Sequence, residues 1–300
     1  PRRRQLIVSN LFYIRLFLRM GFVMLELIKA FFIGIVQGIT EWLPISSTGH
    51  MILFDEFFKM NVSDEFREMF FVVIQLGSIL AVLVLYFGRL WPFFPSKTPA
   101  ERKSVWVLWS KILVAAIPAG IVGVLFDDFI NDHFFNSWVV AGALIVYGIA
   151  FIVIERAFKG RPREDGSAED ITYGTALKIG AFQMLALIPG TSRSGSTIIG
   201  AMLTGVNRTA AAEFSFFLAL PVMAGASLLK LVKFFAGGGV FTSTEIGVLL
   251  VGTITAFFVS LAAIKFLVGF VRRHSFEVFG WYRIVLGLLV LAWFSAKLFI

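Results

Sequence analysis

A polar segment inside an apolar stretch constrains this chain more than any other feature. Residues 37–50 read QGITEWLPISSTGH, so that a carboxylate, several hydroxyls, a proline and a histidine interrupt a hydrophobic run. At membrane depth, unpaired polar and ionisable side chains are costly, and they are read by default as a functional site. The segment therefore predicts a site that the rest of the chain holds inside a bilayer.

The composition supports a membrane-embedded chain. Of the 300 residues, 58% are hydrophobic and only 15% are charged, and the mean hydropathy is +0.86. The apolar runs are long and continuous rather than alternating, which favours helical spans over a β-barrel. The net charge of +8 comes from Lys and Arg in the loops between these runs. That distribution is the positive-inside pattern, so we expect no nucleic-acid partner.

Two apolar regions are broken in the middle. Half-length apolar pieces flank the polar segment within residues 25–58, and a second interrupted region, 173–206, is broken at PGTSRSGST, residues 189–197. Such pieces are too short to span and predict re-entrant hairpins. The fold class predicted is an all-α integral membrane protein with two re-entrant hairpins and six transmembrane helices, at 66–88, 105–126, 136–158, 208–235, 244–270 and 277–299.

The loop charges predict the orientation of these spans. We expect the basic loops to face the cytoplasm and the acidic or uncharged loops to face outward. The two sets alternate along the chain for all six spans. The basic loops are 89–104, 156–172 and 271–276, and the others are 55–65, 127–133 and 236–243.

A weak internal repeat relates the two broken regions. Several residues of the first recur 146 positions later, and Pro44 recurs 145 positions later as Pro189. Because the first hairpin must open outward and the second inward, the halves, about 24–158 and 173–300, form an inverted repeat whose tips meet near the midplane. The matching residues are Gly34, Gln37, Gly49 and Phe70-Phe71 with Gly180, Gln183, Gly195 and Phe216-Phe217.

The first 23 residues stand apart from this pattern. They open with PRRR and carry Arg15 and Arg19 within an apolar run, without an evident small-residue cleavage site. We assign this N-terminal extension no function and expect the natural start near Met24. Residues 24–300 are predicted to form one polytopic membrane domain.

Together the two tips would form an anion site. Arg193 offers a planar fork that matches phosphate oxygens, and glycines at the tips let backbone NH groups approach closely. Ser47 and His50 share a face if a helix restarts there, and His50 could act as base or nucleophile. Gln37 and Glu41 share a face of the entering helix and could bind Mg²⁺ or Ca²⁺. A purely structural ion pair between Glu41 and Arg193 is the alternative.

At these residues the sequence closely resembles the undecaprenyl-diphosphate phosphatase family of the bacitracin-resistance type. Gln37–Glu41 is similar to the family's E/Q-x-x-x-E pattern, Pro44–His50 to its P-x-S-S-T-G-H element, and Pro189–Thr197 to its P-G-x-S-R-S-G-S-T element. The similarity extends from about Met24 to the C-terminus.

The resemblance implies a hydrolase of the bacterial plasma membrane that converts undecaprenyl diphosphate to the monophosphate and inorganic phosphate. This recycles the lipid carrier for peptidoglycan synthesis and confers bacitracin resistance. It also implies a divalent cation, Mg²⁺ or Ca²⁺, held by Glu41 and Gln37. Many members have glutamate at position 37, so metal affinity could be weaker here. The catalytic residues expected are Glu41, Ser47, His50 and Arg193, with Ser46, Thr48, Gly49, Ser192, Ser194, Gly195 and Thr197 binding substrate.

Several alternatives stay open from the sequence. Inverted repeats with broken helices are also a transporter layout, so a flippase of a phosphorylated polyprenyl lipid is the second hypothesis. Transport needs no nucleophile, so substitution of Ser47 or His50 by alanine would distinguish transport from hydrolysis. The sequence does not decide which of them attacks, from which leaflet the substrate enters, or whether the chain forms a homo-oligomer.

Overall fold

The computed structural model describes residues 2–134, 136–158 and 166–297, with side chains from Phe17 onward except at 127 and 131. Within these ranges the chain forms helices and turns and no strand. Many helices are preceded by a polar capping residue. For example, the side chains of Ser63, Asn136 and Thr172 accept hydrogen bonds from backbone NH groups in the first turn. The helices are α1 Arg2–Thr40, α2 Ser47–Phe57, α3 Asp64–Val73, α4 Gln75–Leu85, α5 Phe87–Leu90, α6 Pro99–Phe134, α7 Ser137–Ala157, α8 Tyr173–Gln183, α9 Arg193–Leu203, α10 Arg208–Ala236, α11 Ser243–Val271 and α12 Glu277–Lys297.

The predicted all-helical membrane fold is confirmed. Seven helical segments of the described residues are long and apolar enough to cross a membrane. Six of them coincide with the six predicted spans, the first of which consists of α3 and α4 in succession. The seventh is Phe17–Thr40, where α1 extends the first arm of the predicted hairpin toward the N-terminus. This arm is therefore longer than the half-length piece that we expected.

Contacts around α1 nevertheless match a re-entrant first hairpin. Glu26 accepts a hydrogen bond of 3.1 Å from the backbone NH of Asn61, and Lys29 Nζ donates to Lys59 O over 2.8 Å. The middle of α1 thus lies beside the loop that follows α2, on the side predicted to face outward. Between Glu26 and that loop the chain runs inward to the break and returns.

The second hairpin opens toward the opposite side. Tyr173, at the start of α8, lies with its hydroxyl 2.6 Å from Ser110 Oγ of α6. After α9, Asn207 Nδ2 donates to Gly166 O over 2.7 Å. Both ends of this hairpin therefore lie beside the predicted cytoplasmic loops, as an inverted repeat requires.

Equivalent helix pairs cross at equivalent glycines. α1 packs on α11, and α8, its counterpart in the repeat, packs on α6. A β-carbon at Gly34 would lie 2.6 Å from Gly252 O, and one at Gly180 would lie 2.2 Å from Ala115 O. Only glycine allows these backbones to approach so closely. The repeated glycines therefore have a packing role.

The loops fall into the two groups predicted from charge. On the basic side, Arg89 bridges Glu169 at 2.6 Å and Glu213 at 2.9 Å, which gives the buried Glu213 a structural partner. Burial acts to raise the pKa of Glu169, but the hydrogen bonds and positive charge of Arg89, together with hydrogen bonds to the local backbone and to Ser167, lower that pKa overall. Arg208 pairs with the buried Glu155 in the same region. Lys159, Arg161 and Arg163 of the predicted cytoplasmic loop lie outside the described residues.

Candidate active site

Each break ends in a serine with unusual backbone geometry. Ser46 has φ of 73° and Ser192 has φ of 75°, and these are the non-glycine residues with positive φ in the described chain. They are 146 positions apart, and their hydroxyls cap α2 and α9 by accepting the NH groups of Gly49 and Gly195 at 3.2 Å and 3.1 Å. Such conformations cost roughly 1–3 kcal/mol and concentrate at functional sites. The repeat thus places one strained helix start at each tip.

Glu41 is the centre of the contacts between the tips. Its Oε2 accepts hydrogen bonds from Gln37 Nε2 at 3.0 Å and from Ser47 Oγ at 2.8 Å. Its Oε1 accepts from Arg193 Nη2 at 3.1 Å. The carboxylate is 5% exposed, so it depends on these donors for its charge to be tolerated. The structure therefore brings together the carboxylate of Glu41, the hydroxyl of Ser47 and the guanidinium of Arg193, as the sequence predicted.

Arg193 is oriented by groups on α10 and on the first break. Its Nη1 donates to Ser215 O at 2.6 Å and to Ser215 Oγ at 3.2 Å, and its guanidinium lies 5.6 Å from the centre of the Trp42 ring. Ser215 Oγ also lies 2.7 Å from Thr197 Oγ1. These contacts leave Arg193 Nε without a partner, so one donor of the fork is free for a ligand.

Hydrogen bonding by serine side chains connects the second break to the first. Ser194 Oγ donates to Glu41 O at 3.1 Å and lies 3.1 Å from Ser192 Oγ. Ser194 is buried, with 1% of its surface exposed. Its hydroxyl therefore holds the tips together, while Ser192 faces the cavity between them.

A second arginine, Arg283 of α12, also joins the two breaks. It is fully buried, and its guanidinium donates to Pro44 O at 3.1 Å, Gly190 O at 2.8 Å and Thr191 O at 2.9 Å. No carboxylate of the described residues pairs with it. Because the breaks leave backbone carbonyls without helical partners, a fork with five donors satisfies several of them at once. Arg283 is therefore a positioning residue that the sequence analysis missed.

His50 lies apart from the Glu41 and Arg193 pair. Its Nδ1 is 2.7 Å from Ser46 O, a carbonyl that can only accept, so Nδ1 donates. Its Nε2 is 2.7 Å from the Tyr282 hydroxyl, and the two rings stack 5.7 Å apart. Both ring nitrogens are thus engaged between the first tip and α12. The structure does not bring His50 into contact with Ser47, and its catalytic role stays a prediction.

The tips enclose a cavity of about 160 Å³. Glu41, Ser47, Thr48, Ser192 and Arg193 line it, together with Gln75 from α4. A larger space of 400 Å³ shares Thr48 and Gln75 with this cavity. It continues into a third, of 770 Å³, at the loops predicted to face outward, through shared residues such as Glu68 and Lys230. Neighbouring cavities with common lining residues therefore extend from the site toward the loops predicted to face outward.

The side-chain oxygen atoms at Glu41 and Gln37 are too few to hold a divalent cation without further oxygen ligands from a phosphorylated molecule. Gln37 Oε1 is buried and has no partner, which fits an oxygen ligand to a hard cation. No group of three or more His, Asp or Glu side chains that could hold a metal occurs in the described chain. One carboxylate and one amide oxygen would have to be completed by water and phosphate oxygens, as is usual for Mg²⁺.

The predicted substrate-binding residues divide into two groups. Thr48 and Ser192 line the cavity. The others build the tips, through caps, close backbone packing and contacts to Ser215, so their contact with substrate stays a prediction. They are Ser46, Gly49, Ser194, Gly195 and Thr197.

Sequence reasoning missed four supporting residues. Arg283 could have been found, because a cation inside a predicted span is itself a signal of function. Ser215 directly precedes the repeated Phe216-Phe217 pair, but a single serine in a membrane helix is no signal. The other two, Trp42 and Tyr282, act through ring contacts that only the packing of helices decides.

Comparison with known proteins shows one family. The family model described as bacitracin resistance protein BacA matches residues 30–289. A protein named undecaprenyl-diphosphatase from Enterococcus faecalis is 56% identical over 265 residues, which are 88% of this chain and 96% of the relative. Proteins of the same name from Acetivibrio thermocellus and Lachnoclostridium phytofermentans are 58% and 57% identical, over 91% and 90% of this chain and 99% and 97% of their own lengths.

Proposed function

Because the chain belongs to the bacitracin resistance protein BacA family, we propose that it hydrolyses undecaprenyl diphosphate to undecaprenyl phosphate and inorganic phosphate. It is a multi-pass enzyme of the bacterial plasma membrane, where this reaction recycles the lipid carrier of peptidoglycan synthesis and confers resistance to bacitracin. The observation that carries the assignment of residues is the contact of Glu41 with both Ser47 and Arg193. This contact brings together a carboxylate, a hydroxyl and a guanidinium at one cavity, which supports the proposal.

Ser47 is the attacking group in this proposal. Its hydroxyl donates to Glu41 Oε2 over 2.8 Å and faces the cavity, whereas both nitrogens of His50 are engaged elsewhere. Ser47 Oγ forms a bond to the terminal phosphorus as its proton passes to Glu41. The bond from that phosphorus to the bridging oxygen breaks, and Glu41 returns the proton to the undecaprenyl phosphate that leaves. Water then attacks the phosphoserine and gives a proton to Glu41, the bond from phosphorus to Ser47 Oγ breaks, and Glu41 passes that proton to Ser47 Oγ as inorganic phosphate leaves.

Arg193 stabilises the negative charge of the transferring group. Its fork lies at the cavity wall with Nε free, and charge stabilisation of this kind dominates catalysis of phosphoryl transfer. When bound, a divalent cation at Glu41 and Gln37 would neutralise further charge on the phosphate oxygens. Gln37 also donates to Glu41 and so orients the carboxylate toward Ser47.

Trapping of the phosphoserine tests this proposal. The purified chain is mixed with polyprenyl diphosphate labelled at the terminal phosphorus and quenched within one turnover in denaturant at mildly alkaline pH, where phosphoserine and phosphohistidine both survive, and the labelled peptide is identified. We expect label on Ser47 and none in Ser47→Ala. Ser110→Ala is the matched control, since this serine lies on α6 and contacts Tyr173 rather than the cavity. Label on a histidine would instead assign the attack to His50.

Transport of a phosphorylated lipid is the second candidate function. The observation in its favour is that the two hairpins open toward opposite sides around one site. Vesicles that contain the purified chain and a fluorescent polyprenyl phosphate measure it directly. Two results together would favour transport over hydrolysis. Ser47→Ala would move lipid between leaflets as fast as the unsubstituted chain, and the unsubstituted chain would release no phosphate.

A further inference from the structure

A second space meets Arg193 from the membrane side. It has a volume of 350 Å³ and lies between α6 and α10, and we call it the α6–α10 groove. Its lining is largely apolar and includes Gly120, Val124 and Gly225. Val124 is 67% exposed at the outer surface of the helix bundle, so the groove is open toward lipid. It shares Arg193, Ala186, Val222 and Ala226 with the catalytic cavity.

The two helices that form the groove share an unusual feature of sequence. Each carries a proline in its interior, Pro118 in α6 and Pro221 in α10, and interior prolines kink helices. A β-carbon added at Gly120 or Gly225 meets no heavy atom within 4 Å. At Gly180, by contrast, an added β-carbon would lie 2.2 Å from Ala115 O. The groove is therefore space that side chains of the described protein do not occupy.

An unpartnered amide lies in the wall of this groove. Gln183 is 1% exposed, and neither its Nε2 nor its Oε1 has a hydrogen-bond partner. Its counterpart in the repeat, Gln37, donates to Glu41, but the position equivalent to Glu41 is Leu187. A buried amide without partners costs free energy unless a ligand satisfies it. Arg193 Nε, also in this wall, is a second donor without a partner.

We propose that the α6–α10 groove binds the first isoprene units of the substrate's tail, and that Gln183 donates to the phosphate attached directly to the lipid. The groove offers an apolar path from the bilayer to the cavity in which Ser47 attacks the terminal phosphate. Gln183 and Arg193 Nε stand where the tail meets the diphosphate. The inference rests on the proposed hydrolysis for the identity of the ligand, and it adds where and how the lipid part is held.

Photolabelling tests the location independently of turnover. The probe is a farnesyl diphosphate analogue with a diazirine on its terminal isoprene unit, added to the purified full chain in detergent. We expect label on peptides of α6 and α10 near Gly120 and Gly225, displaced by farnesyl diphosphate but not by excess phospholipid. Label confined to other helices, or displaced equally by phospholipid, would overturn the proposal. If the chain released no phosphate, the hydrolysis would fail while the labelling still reported on the groove.

Filling the groove tests its role in affinity. Gly225→Leu places a side chain in the open space, and Gly269→Leu on α11 is the matched control, because it too meets no neighbour within 4 Å. Excluding even two buried methylenes weakens binding by roughly tenfold. We expect the KM for farnesyl diphosphate to rise at least about tenfold in Gly225→Leu with kcat little changed. Equal KM values in the two variants would contradict the proposal.

Product inhibition isolates the role of Gln183. Farnesyl monophosphate carries only the lipid-linked phosphate, whereas inorganic phosphate reports on the terminal site. We expect Gln183→Leu to raise the inhibition constant of farnesyl monophosphate about tenfold, the effect of losing a buried hydrogen bond to a charged group. The constant for inorganic phosphate should stay unchanged. A merely structural glutamine would shift both constants together or neither, and either result would overturn its assignment.

Discussion

Arg193 and Glu41 are 152 positions apart in the chain, yet Arg193 Nη2 lies 3.1 Å from Glu41 Oε1. Each would be a costly isolated charge at membrane depth, and each is the other's partner. The pair joins the first break to the second, Glu41 Oε2 also accepts a hydrogen bond from Ser47, and Glu41, Ser47 and Arg193 line the cavity. The ion pair that the structure shows therefore also lies at the catalytic centre that we propose.

Arg193→Lys tests the need for a planar fork. Lysine keeps the charge but cannot contact Ser215, Glu41 and a phosphate together. We expect kcat/KM for phosphate release to fall about 100-fold, the typical effect of losing one oriented donor to the transition state. Arg156→Lys is the control, because Arg156 forms an exposed pair with Glu277. Retention of turnover within about threefold in Arg193→Lys would contradict the role of this residue.

Replacing His50 should cost less activity than replacing Ser47. A side chain that transfers protons in the transition state contributes roughly 10²–10⁴ in rate. Because both ring nitrogens of His50 contact Ser46 and Tyr282, we expect His50→Ala to lose less than about 100-fold. Ser47→Ala should release no phosphate above background. Single-turnover kinetics of both variants give the comparison, and an inactive His50→Ala beside an active Ser47→Ala would reverse the assignment.

Glycine at the strained helix starts should preserve stability better than alanine. Ser46 and Ser192 occupy positive φ, which glycine adopts freely, and replacement of a serine cap by glycine costs only a few tenths of a kcal/mol. Alanine loses the cap and keeps the strain. We therefore expect the thermal midpoint in detergent to be higher in Ser46→Gly than in Ser46→Ala, and likewise at Ser192. Because both variants lack the hydroxyl, the reverse order would contradict the backbone strain assigned to these positions.

Arg283 should be required for the geometry of both breaks. Arg283→Met would leave the carbonyls of Pro44, Gly190 and Thr191 without a donor, at about 1–3 kcal/mol for each buried group. We expect the thermal midpoint to fall by roughly 5 °C or more, since about 1 kcal/mol shifts it by 2–4 °C in a chain of this size. Arg273→Met, at an exposed loop position, is the control.

Arg283→Lys separates positioning from stability. Lysine retains a charge and can reach one break, so the fold should persist, but the second break loses its donor. We expect a lower kcat and a thermal midpoint that falls by less than in Arg283→Met. An unchanged kcat for Arg283→Lys would show that a single donor suffices to align the tips.

Gln37→Glu should tighten binding of the cation. Glutamate adds a negative charge beside Glu41, and affinity for hard cations rises with the number of charged oxygen ligands. Activity titrated with Mg²⁺ or Ca²⁺ after removal of metal by a chelator should reach half its maximum at a severalfold lower concentration in the variant. Full activity of the original chain in excess chelator would argue against any role of a divalent cation.

The sequence alone determined the architecture and most of the site. Apolar runs of span length, the charge of the loops and the polar breaks each have a local cause, because a bilayer excludes unpaired polar groups wherever they occur in the chain. The 146-residue displacement then predicted that the tip with Glu41 and Ser47 would face the tip with Arg193, and in the structure Glu41 contacts both Ser47 and Arg193.

Only the tertiary structure decided the roles of groups whose partners lie on distant helices. His50 could face Ser47 by helical spacing, yet α12 supplies Tyr282 and holds the ring away from it. Arg283 contacts carbonyls of both breaks because they are brought to one point, which no local pattern specifies. The unpartnered amide of Gln183 likewise has meaning only beside the α6–α10 groove. The apolar runs of the sequence determine which residues enter the membrane, whereas hydrogen bonds between helices depend on how the helices pack.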